Sequence, residues 1–244
     1  MPAQDPLDED VTSRRAAQAE NRLPPAIAVV VAAAAYAALP QTLLVGPRLV
    51  IPAVELLLLA ALISTNPRRM VRDSRWSRTL SVVLAAVVLV ANLVALGMLI
   101  RSVTSSDKPG GEMLVAGMQV WLTNVIGFAL LYWELDRGGP VSRRARPREQ
   151  LPPADWRFSQ DENDDAVVEV AASASGRSGW VPTFIDYLYL SLTNSSAFSP
   201  TDTMPLSSRA KSLMGLQATA ALLTALLVVA RAVGALGGGG GGGG

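Results

Sequence analysis

Residues 180–233 read WVPTFIDYLYLSLTNSSAFSPTDTMPLSSRAKSLMGLQATAALLTALLVVARAV. The first apolar part, residues 184–198, would span roughly 22 Å as a helix, short of the ~30 Å hydrocarbon core of a bilayer. A polar turn, residues 199–204, follows it, and then a basic step at Arg209 and Lys211. The last part, residues 213–233, is an apolar run of about 21 residues, which is long enough to cross. A short helix, a turn and a full span make the outline of a re-entrant loop beside a transmembrane helix. Non-helical backbone at that depth needs cover from protein or enclosed water. The rest of the chain must therefore supply a helical scaffold.

Working outward, four further apolar runs precede this stretch: residues 26–45, 49–64, 80–100 and 113–133. Together they predict an all-α polytopic membrane protein with five transmembrane helices and one short re-entrant or interfacial helix before the last. Pro40 is expected to kink the first run near its far end. Tyr132 and Trp133, closing the fourth, suit a water–lipid interface. Five segments follow: a disordered tail (1–23), a four-helix membrane region (24–136), a charged loop (137–181), the pore-loop-like helix with the last span (182–236), and a flexible run of glycines (237–244).

Orientation follows from the cationic residues. In a five-span topology, 17 of the 21 Lys and Arg residues fall on the side of the N-terminus. The short loop holding Arg68, Arg69, Arg72, Arg75 and Arg78 carries much of that excess. The positive-inside rule then places the N-terminus in the cytoplasm and the C-terminus outside. The short helix should dip in from the cytoplasm. Arg231, near the far end of the last span, is expected to snorkel to the outer interface.

Composition limits the chemistry. Half of the residues are hydrophobic and 17% are charged, against about a quarter in a soluble domain. Net charge is +1, which gives no electrostatic reason to expect a nucleic-acid partner. There is no Cys and no His. That removes the thiolate nucleophile, the commonest general base and the commonest transition-metal ligand. Phosphate-binding loops, dinucleotide fingerprints and nucleophile elbows are absent from the sequence. The acidic group Asp161, Glu162, Asp164 and Asp165 lacks the alternating ligands and central Gly of a calcium loop. The expectation is a non-enzyme with no cofactor and no metal.

Two sets of polar residues are the candidate sites. Asn194, Ser195, Ser196, Ser199, Thr201 and Asp202 would line a pore or pocket if the loop re-enters. In the alternative, residues 184–198 form an amphipathic helix on the cytoplasmic face, although their polar face is weak. Glu55, Asn92, Gln119 and Asn124 lie inside apolar runs. An ionisable group there flags a functional site, and Glu55 needs protonation or a partner such as Asn92, Asn124 or Gln119. Asn92, Asn124 and Gln217 also read as interhelical hydrogen-bond glue. The arginines from Arg68 to Arg78 could meet anionic lipid headgroups.

The residues carry two resemblances. An Arg-rich loop after the second run, the aromatic end of the fourth, Asp186-x-Leu188-Tyr189-x-Ser191, Ser199 with Asp202, and Ser208-Arg209 are similar to a family of uncharacterised bacterial five-span inner-membrane proteins. That family brings no activity with it. More distantly, Tyr189-Leu190-Ser191-Leu192-Thr193, and Thr201-Asp202 followed by Pro205, resemble the pore-loop module of potassium channels. Where that module has Gly-Tyr-Gly, this chain has Ala197-Phe198-Ser199-Pro200, and no Gly lies between Phe184 and Met214. Filter glycines aim backbone carbonyls at the ion, so the resemblance implies the shape but not potassium selectivity. The functional expectation is a channel or transporter of a small ion or solute in the inner membrane, built from several copies. The rival expectation is a non-conducting membrane scaffold or interaction protein.

Overall fold

The computed structural model describes residues 20–44, 46–65, 75–104, 110–146, 148–162, 166–196 and 202–237. Its helices are α1 (Leu23–Ala37), α2 (Val50–Thr65), α3 (Arg75–Thr104), α4 (Gly110–Leu135), α5 (Pro140–Ala145), α6 (Phe184–Ser196) and α7 (Ser208–Gly237), with single helical turns at Val168–Ala171 and Ser175–Ser178. Strands β1 (Trp156–Arg157) and β2 (Met204–Pro205) pair antiparallel, Trp156 opposite Pro205.

Among the described residues three helices are long and apolar enough to cross a membrane: α3, α4 and α7. Two are shorter, Leu23–Ala37 and Val50–Ser64. Of the five expected transmembrane helices, the last three are long helices and the first two are the shorter apolar pair α1 and α2. The first run, read as residues 26–45, breaks because α1 ends at Ala37 and Pro40 precedes a separate turn at Gln41–Leu43. Proline lacks the N–H that would continue the helix, so it ends the helix rather than kinking it. At 15 residues α1 reaches about 22 Å.

α4 is the central helix, packed against α1, α3, α6 and α7. Its aromatic end does not face an interface. Tyr132 and Trp133 are buried, with Tyr132 against Trp156 and Trp133 edge-on to Phe184. The sequence placed residues 137–181 in a loop, yet Asp155, Trp156 and Phe158 are buried and Trp156 joins the core. The expected N-terminal tail ends earlier than residue 23, since Glu20 and Arg22 are buried. Residues 1–19 and 238–244 lie outside the described residues.

α7 runs antiparallel to α4. Arg209 reaches Leu135 O at one end, and at the other Gly117 lies against Val228. α6 matches the expected short helix in length. It also runs antiparallel to α4: Phe184 is beside Trp133, Ser191 beside Val125 and Ser195 beside Asn124. Asn124 is eleven residues from Leu135, so the tip of α6 lies about 16 Å along an α4 of about 39 Å. α6 thus covers about two-fifths of α4 and stops.

The apolar residues separate into two clusters along the helices. One holds Leu59, Leu89, Phe128 and Leu190; the other holds Leu43, Leu99, Met113 and Val120. Glu55, Asn92 and Asn124 fall between them in sequence on α2, α3 and α4. The tip of α6 ends at the same level.

Candidate functional site: a polar layer at mid-depth

The layer begins on α3. Asn92 donates through Nδ2 to Val120 O and to Thr123 Oγ1, both at 2.6 Å. Asn124 Nδ2 donates to Asn92 Oδ1 at 3.4 Å, and Ser195 Oγ of α6 donates to Asn124 Oδ1 at 3.5 Å. Gln217 of α7 closes the layer. Its Nε2 donates to Ser195 Oγ at 2.8 Å, Ser191 Oγ at 2.6 Å and Ser191 O at 2.9 Å. Its Oε1 accepts from Tyr132 Oη at 2.6 Å and Asn194 Nδ2 at 2.9 Å. Asn194 also reaches Met214 O at 3.1 Å, and Ser191 Oγ donates to Val125 O at 2.6 Å. Four helices are thereby joined by one chain of neutral amides and hydroxyls.

Local sequence explains how α6 presents these groups. Asp186 Oδ2 accepts from Thr183 N at 2.7 Å and Thr183 Oγ1 at 2.8 Å, the reach-back half of a capping box that fixes where the helix starts. Ser191, Asn194 and Ser195 then recur three and four residues apart, which places them on one face. The opposite face carries Ile185, Tyr189 and Leu192, all exposed. The Asp186-x-Leu188-Tyr189-x-Ser191 motif is thus a cap, a packing residue, an outward aromatic and a buried hydroxyl.

Of the residues expected to line a pore, Asn194 and Ser195 sit in this layer, committed to partners within the chain. Ser196 is exposed and bonds back to Leu192 O on its own helix. Asp202 is exposed in the turn before β2. Ser199 and Thr201 lie outside the described residues, as do Arg68, Arg69 and Arg72. Arg75 opens α3 and Arg78 is exposed one turn later. Asn92 and Asn124 pair, and Gln119 stands one turn away with its Oε1 buried and unpartnered. Glu55 is at the same level on α2 with only 1% exposure. Its Oε2 has no hydrogen-bond partner.

Sequence reasoning missed Tyr132, Ser191 and Thr123. The spacing of Ser191 from Asn194 and Ser195 could have found one of them; nothing local marks the other two.

A second polar cluster, also missed, closes the Trp133 end of the bundle. Arg143 is buried and donates through Nη1 to Trp133 O at 2.7 Å and Asp136 O at 2.8 Å, capping open carbonyls at the end of α4. Its guanidinium lies 4.9 Å from the Tyr187 ring centroid, a cation–π contact. Asp136 accepts from Tyr187 Oη at 2.5 Å and Asp155 N at 2.7 Å. Gly138 and Gly139, with φ of 81° and 93°, reverse the chain so that α5 brings Arg143 back to α4. Arg209 pairs with Asp155, and Ser207 donates to the same carboxylate at 2.5 Å. Glu20 Oε1 accepts from Trp133 Nε1 at 3.0 Å and Phe184 N at 2.6 Å, which ties the N-terminal segment to the start of α6. Burial raises the Glu20 carboxyl above its ordinary value, opposed chiefly by Arg143. Arg22 donates to Leu62 O at 2.5 Å beside a cavity of about 30 Å³, room for about one water.

Among the described residues no group of three His, Cys, Asp or Glu side chains is placed to hold a metal ion. The mid-depth layer offers neutral donors and acceptors, suited to fixing helices. Comparison with protein-family models, curated proteins and solved structures returned no match.

Proposed function

We propose that the protein is a non-conducting integral membrane scaffold, in which α6 is a re-entrant brace locked to α4 and α7 at mid-depth. One observation carries this reading: Asn194 and Ser195, the residues that would face a conducting path, direct their polar atoms into the layer. The other face of α6 is Ile185, Tyr189 and Leu192, which suits lipid or an apolar partner and not a water column. Interhelical hydrogen bonds of this kind contribute about 0.6 kcal/mol each in membranes. The resemblance to uncharacterised five-span bacterial proteins fits a location in the inner membrane, N-terminus inside. Arginines at the start of α3 would then face anionic lipid headgroups.

A second reading, a channel or transporter of a small ion assembled from several copies, draws on a different feature. α6 ends at the polar layer, and half-helices that end at the bilayer midplane build transporter sites from their termini and adjoining backbone. The potassium-channel resemblance points the same way in shape.

The parent has no Cys, so single thiols can be introduced as Ser195→Cys and Asp202→Cys without background. The scaffold reading predicts that the Ser195→Cys thiol resists small and bulky reagents alike, while the exposed Asp202→Cys position reacts with both. It also predicts that reconstituted vesicles show no flux above empty ones. Labelling of Ser195→Cys by a small reagent only, accompanied by ion flux, would transfer the conclusion to the second reading.

A further inference from the structure

We propose that Glu55 is a proton-binding site inside the helical layer: a carboxyl that is neutral at rest and exchanges its proton with solvent. The inference goes beyond the scaffold role and rests only on the membrane reading of α1 to α4.

The argument starts from what surrounds Glu55. It is 1% exposed, and its Oε2 is buried without a hydrogen-bond partner. α2 packs against α1 and α3. Leu62 lines the cavity that Ser81 and Leu84 of α3 also line. Seven residues back along α2, about 10 Å, Glu55 comes level with residues 88–92 of α3. The ionisable groups on these elements are few. α1 has Tyr36 alone, α2 has none besides Glu55, and the α1–α2 connection has Arg48. On α3 the arginines stand at the ends, with Arg78 and Arg101 roughly 20 Å and 14 Å from Asn92 along the helix. Arg48 is seven residues before Glu55, about two helical turns or ~10 Å, and its Nη2 is turned to Leu39 O. Among the described residues no cation is therefore placed to neutralise a carboxylate here. An unpaired ionised carboxylate in such surroundings is disfavoured strongly enough that the group takes up a proton instead. Two neighbouring features favour a proton that can come and go. Oε2 has no existing hydrogen bond for protonation to break, and Glu55 sits at the level of the Asn92–Asn124 pair, whose amides are the nearest polar groups of the layer.

Infrared difference spectroscopy on the full chain in lipid vesicles tests this directly, wild type minus Glu55→Gln. The substitution is isosteric and neutral, so the fold survives it. Carbonate washing comes first, and loss of the chain from the membrane fraction would sink the membrane reading and the Glu55 proposal with it. With the chain retained, the expected result is a protonated-carboxyl C=O band at neutral pH that is absent from Glu55→Gln and gives way to carboxylate bands as pH rises. Dicyclohexylcarbodiimide is the second probe. The acid O–H adds across a C=N bond of the reagent, the proton passes to nitrogen, and O-to-N acyl migration leaves an adduct of the intact reagent's mass on Glu55. Labelling should fall with the infrared band. A carboxylate spectrum at every pH, or a protonated band that does not move even in strong alkali, overturns the proposal; so does a band shared by wild type and Glu55→Gln.

Discussion

Gln217 is the residue on which the mid-depth layer turns, and Gln217→Leu is the most informative perturbation. Leucine has a similar volume, so the change removes hydrogen bonds and leaves little cavity. The partners do not suffer equally. Ser191 keeps its bond to Val125 O, Asn194 keeps Met214 O, and Ser195 keeps Asn124 Oδ1. Tyr132 is different, because its buried hydroxyl has Gln217 Oε1 as its partner. Leaving one buried hydroxyl unsatisfied costs about 1–3 kcal/mol, and the four further bonds of Gln217, to Ser191 Oγ, Ser191 O, Ser195 and Asn194, add about 0.6 kcal/mol each. The expected loss is about 3–5 kcal/mol. It is measured by unfolding in mixed SDS micelles, with amide exchange in α6 as the local readout. Tyr132→Phe alone should cost about 1 kcal/mol, since Asn194 still satisfies the Gln217 carbonyl. Combined with Gln217→Leu, it should restore stability relative to the single Gln217→Leu change, because the orphaned hydroxyl is gone. Strict additivity of the two losses would refute the claim that this hydroxyl depends on Gln217. So would a Gln217→Leu loss under about 0.5 kcal/mol, within the range of ordinary surface substitutions.

Three other outcomes are expected. A Cβ at Gly117 would collide with Val228 Cγ2, and valine has one strongly preferred rotamer in a helix. Gly117→Ala should therefore cost about 1–3 kcal/mol, and Val228→Ala in the same chain should recover it. Asp136→Ala strands Tyr187 Oη and Asp155 N in a buried site, while Arg137 keeps Asp161, so a loss of about 2–4 kcal/mol is expected, with loss of near-ultraviolet signal from the aromatic cluster. The raised Glu20 carboxyl makes a pH prediction. Because burial favours its protonated form in the folded protein, its stabilising contribution is complete below about pH 4.5 and is lost as pH rises through the raised value. Thermal unfolding of wild type against Glu20→Gln should diverge with rising pH, wild type becoming the less stable. Parallel curves would remove Glu20 as the source.

Much of the site was legible without coordinates. Asn92, Asn124, Asn194 and Ser195 stand out as polar residues in apolar surroundings, and buried amides without partners are costly enough that some pairing was required. Which atoms would pair was not legible. Tyr132 carries no mark in the sequence that separates a buried tyrosine from one at a lipid interface. The Arg143 and Asp136 cluster was hidden for another reason. Its residues lie in a stretch whose charge resembles a solvated loop, and only the reversal at Gly138 and Gly139 returns the guanidinium to the end of α4.

The sequence by itself determined the long apolar helices, the half-length of α6 and its cap at Thr183 and Asp186. These follow from run length, periodicity and local hydrogen bonding, all set within a few residues. It also determined that His and Cys chemistry is absent. Tertiary structure alone decided that Trp133 and Trp156 are core. It alone decided that the polar face of α6 turns inward onto Gln217. Each of those outcomes depends on what lies opposite, and the partner is 19 to 85 residues away in the chain for such pairs as Asp136–Asp155 and Tyr132–Gln217. Burial and pairing are properties of two surfaces meeting, so no single stretch of sequence contains them.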